Sequence, residues 1–81
     1  MLTIFEYIQK NGARATARQL INQRLNRLAG LTLSDLPDTG EICAIIDNLE
    51  HQLKTDSANK DNIKEILTEI SADFLEAIIY E

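Results

Sequence analysis

The sequence has no tryptophan, one histidine, one cysteine, one proline and three isolated glycines, and each scarcity excludes something. A single cysteine, Cys43, cannot form an intrachain disulfide, which fits a reducing cytoplasm. A single histidine, His51, gives no set of converging metal ligands. Glycines at 12, 30 and 40 are too far apart to build a phosphate-cradling loop. No stretch approaches the ~18 apolar residues that a membrane span needs. The first ten residues carry Glu6 and polar groups where a signal peptide would have a basic start and an apolar run. These absences predict a soluble cytoplasmic protein with no cofactor, no metal and no membrane association.

What is present is mostly leucine, isoleucine and charge. Hydrophobic residues make up 44% of the 81 residues, which read as a single helical domain over 1–81. A chain this short buries only a little more than ~60% of its unfolded surface, so covering one more face with a partner would add materially to its stability. The net charge of −5 is unevenly spread. Up to Leu33, five bases face the single acid Glu6; from Ser34 onward, twelve acids face Lys54, Lys60 and Lys64. All four arginines, Arg14, Arg18, Arg24 and Arg27, fall within 14–27. Such polarity suits self-complementarity or a basic binding site.

Apolar spacing predicts an all-α fold of four helices, one short and N-terminal and three longer, arranged as a small antiparallel bundle or an intertwined dimer. Thr3 and Glu6 form a capping-box signature for the first helix, with Ile4, Phe5 and Ile8 on its apolar side. Asn11-Gly12 ends it. A second helix is expected over 13–29, stopped by Gly30, with Leu31 folding back as in a Schellman motif. Leu31, Leu33 and Leu36 alternate with polar residues, and the segment reads as a connection pinned to the core. Asp38 with Glu41 is a second capping box, opening a helix whose Ile42, Ile45, Ile46, Leu49 and Leu53 form one stripe. After a polar break at 55–59, one continuous helix is expected over 61–80, with Ile63, Ile66, Leu67, Ile70, Phe74, Ala77 and Ile78 on its core face.

No residue pattern calls for chemistry. His51 projects opposite the apolar stripe of its helix, and Cys43 lies at the edge of that stripe among acidic and apolar neighbours. The carboxylates single out no acid and base pair. The protein is therefore expected not to be an enzyme. In size, acidity and helix count the chain resembles acyl carrier proteins. That family attaches its arm to the serine of an Asp-Ser-Leu triplet, whereas the sequence here reads Leu33-Ser34-Asp35-Leu36 and Asp56-Ser57-Ala58. The motif is missing, so the resemblance ends at the outline.

Two features point to partners instead. On an ideal helical projection Arg24 lies inside the apolar arc of Ala17, Leu20, Ile21, Leu25 and Leu28, while Arg14, Arg18 and Arg27 border it. This placement favours pairing with carboxylates of facing helices, such as those that line 65–76, within the chain or across a dimer. The polar face of Thr16, Gln19, Asn22, Gln23 and Asn26 leaves nucleic-acid binding by the second helix as the alternative. On the last helix, Thr68, Ala72, Leu75 and Ile79 share a face away from the core stripe, which predicts a homodimer or partner interface. The sequence thus reads as a small interaction domain: a regulator, adaptor or assembly factor. A weaker alternative uses the acidic segment as a decoy surface for a nucleic-acid-binding partner.

Overall fold

Helical periodicity carries through most of the chain. The computed structural model describes residues 4–54 and 60–80. Among them, α1 spans Ile4–Asn11, α2 Ala13–Ala29, α3 Gly40–Lys54, α4 Lys60–Thr68 and α5 Ala72–Ile79, with a 3-10 turn at Leu33–Asp35 and no strand. The all-α class stands. Thr3, the side chains of Ile4 and Phe5, and the polar break at 55–59 lie outside the described residues.

Two glycines bound α2. Gly12 has φ 89° and ψ 160°, a region that essentially only glycine occupies. It turns the chain between α1 and α2 while its N–H still bonds the Ile8 carbonyl at 2.7 Å. Gly30, at φ 68°, closes the other end in the left-handed conformation. Its N–H reaches Asn26 O at 2.9 Å, and that of Leu31 reaches Leu25 O at 3.4 Å, one residue further back than in the Schellman pattern.

The core is built chiefly between α2 and α3, with α1 against α2 and α4 against α3. Ile21, Leu25, Leu49 and Ile70 are its largest fully buried side chains. The α3 stripe lies inward as expected, with Ile42, Ile45, Ile46, Leu49 and Leu53 all buried. On α2 the inward arc is displaced from the expected one. Thr16 is buried, its hydroxyl donating to Gly12 O at 2.8 Å, and Leu28 is exposed. Asn22 is half-buried and accepts the Leu33 N–H at 2.8 Å, which pins the connection after α2. Neither Thr16 nor Asn22 therefore belongs to the outward polar face on which the sequence placed them.

The expected cap of α3 shifts by one residue. Thr39, not Asp38, takes the position, its hydroxyl accepting the Ile42 N–H at 3.3 Å. Reciprocal contacts of the capping-box kind occur earlier, at the 3-10 turn: Asp35 Oδ2 accepts the Thr32 N–H at 2.9 Å, and Thr32 O accepts the Asp35 N–H at 3.0 Å.

The largest correction concerns the C-terminal helix, which is two helices. At the end of α4 the bonds tighten to three-residue closures, Glu69 N–H to Ile66 O at 3.2 Å and Ile70 N–H to Leu67 O at 3.1 Å. Ser71 is extended, at φ −108° and ψ 171°, and its hydroxyl caps α5 by accepting the Phe74 N–H. The physical reason lies in the side chains beyond the break. In an uninterrupted helix Leu75 would sit well outside the core stripe. After the break Leu75 and Ile78 are both buried, Phe74 is half-buried and Ala77 faces out. Burying a leucine contributes about 1.5–3 kcal/mol, and a serine cap about 1 kcal/mol. Together these offset the few backbone bonds that the break gives up.

Candidate binding surface

The four arginines of α2 do not share one environment. Arg14 pairs with α3: its Nη1 lies 3.0 Å from Asp47 Oδ1 and 3.2 Å from Glu50 Oε1, and Lys54 adds a contact to Glu50 at 3.4 Å. The hydrogen bonds to Asp47 and then Glu50 raise the guanidinium pKa further above its ordinary value. The group is half exposed, so these contacts orient α2 on α3 more than they stabilise it.

Among the described residues, Arg24 meets no carboxylate. It is half-buried, and its Nε–H donates to the Ile70 carbonyl at 3.1 Å. That carbonyl lies in the break between α4 and α5, where a helix end leaves acceptors without intrahelical partners. Arg24 therefore fixes the corner from which α5 departs.

Arg18 lines a groove of about 250 Å³ with Leu33, Leu36, Pro37, Asp38, Ile42 and Ile46. Its one base faces one acid, and its walls come from the pinned connection and α3.

Arg27 lines a second groove, of about 160 Å³, between α2 and α4. Arg24, Lys64 and Gln23 share its rim, and Leu20, Leu67 and Thr68 complete the lining. Three bases surround two half-buried leucines, and among the described residues no acid lines the groove. Neither Arg27 nor Lys64 makes an ion pair among the described residues. Leu28, one helical turn beyond Arg24 on α2, is also exposed and extends the apolar strip.

Within the chain, the α2 arginines do not neutralise the acids of the last helix among the described residues. Among the described residues, Glu65, Glu69, Asp73 and Glu76 make no ion pair with α2. Among the described residues, the carboxylates reached from α2 are Asp47 and Glu50 of α3.

The expected interface residues are also divided. Leu75 is buried in the chain's own core, so Thr68, Ala72, Leu75 and Ile79 do not form one outward ridge. Thr68 ends α4 beside the basic groove, its hydroxyl donating to Glu65 O at 2.7 Å. Ala72 and Ile79 are exposed on α5. The sequence reading missed Lys64 and Tyr80. Tyr80 is 81% exposed and Ile79 46% exposed, and both share the outward side of α5 with Ala72, Asp73 and Glu76. The signal for this grouping was Ser71, which resets the helical phase.

Cys43 is half-buried, and its thiol donates to Asp38 Oδ1 at 3.3 Å. That hydrogen bond, followed by burial, pushes its pKa up and keeps it protonated, the opposite of what a nucleophile requires. His51 is exposed on α3. Among the described residues, no three histidine, cysteine or acidic side chains are grouped so as to hold a metal ion, and no helix is long and apolar enough to cross a membrane. Comparison with protein-family models, curated proteins and solved structures finds no match to this chain.

Proposed function

We propose that this chain is a non-catalytic protein–protein interaction domain, a small cytoplasmic regulator, adaptor or assembly factor that associates as a homodimer. The observation that carries the reading is the α2–α4 groove, where Arg24, Arg27 and Lys64 surround Leu20 and Leu67 with no acid among the described lining residues. An apolar floor with a charged rim is the usual anatomy of a protein contact, the core supplying affinity and the rim selecting the partner. The same molecule exposes acids and large apolar side chains on α5, so both halves of such a contact are present on one chain.

Sedimentation velocity across micromolar to millimolar concentrations tests the association. The expected result is a species of about twice the 9.1 kDa chain mass. Nucleic-acid binding by α2 is the second reading, favoured by exposed Gln19, Gln23 and Asn26 alongside the bases. A persistent monomer that retards DNA or RNA at low salt, with affinity falling steeply as salt rises, would overturn the first reading in favour of the second.

A further inference from the structure

We infer that the basic α2–α4 groove receives the outward face of α5 from a second copy of the chain, each protomer inserting into the other. The inference rests on the homodimer reading and assigns its surfaces.

Three observations converge. The first is charge: the groove carries Arg24, Arg27 and Lys64, and the outward face of α5 carries Asp73 and Glu76. Among the described residues, Arg27, Lys64, Asp73 and Glu76 make no ion pair within the chain. The second is shape. The groove holds about 160 Å³ over an apolar floor, room for side chains and not for a whole segment. Ile79 and Tyr80, among the most exposed large apolar side chains described, lie beside those two acids. On a helix of eight residues, about 12 Å long at 1.5 Å per residue, Glu76 and Ile79 are adjacent on one side.

The third is position. Arg24 binds the Ile70 carbonyl, two residues before α5 starts at Ala72. The groove and the departing helix therefore adjoin at one corner of the molecule. Leu75 and Ile78 hold α5 to its own core, which leaves the opposite side free for a neighbour. A two-fold axis near this corner would bring each α5 over the other groove and repeat the same contact twice, as closed isologous dimers require. Both surfaces are small, so the pair should be weak, dissociating in roughly the micromolar range.

Charge exchange tests this. Glu76→Lys is one variant, and Arg27→Glu combined with Lys64→Glu is the other. All three positions are exposed, and circular dichroism verifies that each variant remains helical. Each variant alone should raise the dimer dissociation constant about tenfold or more, because like charges then meet at both copies of the contact. An equimolar mixture should recover the dimer to within about threefold of wild type, since each groove again meets an α5 of opposite charge. If a charge variant loses helicity, Ile79→Gln carries the same test and should weaken the dimer with the fold intact. A wild-type dimer that none of these changes weakens would overturn the assignment and leave the homodimer standing. A wild-type monomer throughout the concentration range would overturn both.

Discussion

Arg24 and Ile70 are joined across 46 residues by one hydrogen bond, from the guanidinium Nε–H to a carbonyl oxygen 3.1 Å away. The bond ties the middle of α2 to the corner between α4 and α5. Removing the guanidinium leaves a partly buried acceptor without its donor. Arg24→Ala should therefore lower stability by about 1–3 kcal/mol, the range for leaving a buried polar group unsatisfied. Arg14→Ala, which removes exposed contacts, should change stability much less. Urea denaturation of the two variants side by side checks the order. Amide hydrogen exchange on Arg24→Ala should show α5 losing protection before α2 and α3 do.

Leu75 and Ile79 are four residues apart with opposite surroundings, 3% and 46% exposed. Leu75→Ala should cost about 2–5 kcal/mol through lost burial and the cavity left behind. Ile79→Ala should alter monomer stability by less than about 0.5 kcal/mol, as surface substitutions generally do. Thermal or chemical denaturation at low protein concentration separates the two. Equal effects would mean that α4 and α5 form one uninterrupted helix.

Gly12 and Gly40 make a second contrast. Nothing lies within 4 Å of a Cβ built at either position, so space does not distinguish them. Backbone conformation does: Gly12 has φ 89°, and an alanine there should cost about 1–3 kcal/mol. Gly40 opens α3 without a positive φ, and Gly40→Ala should stabilise by up to about 1 kcal/mol, chiefly by restricting the unfolded chain. Denaturation midpoints moving in opposite directions are the expected outcome.

The Cys43–Asp38 contact sets a pH dependence. Because the thiol pKa is raised in the folded state, the folded chain holds that proton more tightly than the unfolded one. The associated stability is fully present below the ordinary thiol pKa and is lost as pH rises through the folded value. Cys43→Ser should remove that part of the alkaline decline, measured as the difference between the two pH–stability curves. Asp38→Ala should speed alkylation of Cys43 at mildly alkaline pH by lowering its pKa toward the ordinary thiol value.

The legible parts of the fold were those fixed by local chemistry. Gly12 and Gly30 punctuate an apolar pattern, and α2 runs between them as their conformations require. The α3 stripe needed only its own spacing. The break at Ser71 was hidden because Ile63, Ile66, Ile70, Phe74 and Ile78 keep helical phase across it. What decides the break is burial of Leu75 and an acceptor for Arg24, both of them tertiary contacts. The arginines were legible in the same partial way. Their position beside the apolar arc followed from the sequence, but a carbonyl acceptor for Arg24 exists only where another helix stops. The basic groove takes Lys64 from a segment that reads as acidic, so no single stretch of sequence contains it.

The order of packing along the chain has a kinetic consequence. α1 rests on α2, α2 on α3 and α3 on α4, so most contacts join neighbours in sequence and close short loops. Topologies of this kind fold fast, in microseconds to milliseconds. The Arg24–Ile70 bond, beside the α2–α4 contact, joins segments more distant in sequence. During synthesis it must wait until the α4–α5 corner has emerged, long after α2 is complete, so the docking of α5 is expected to be the last step and the most readily reversed.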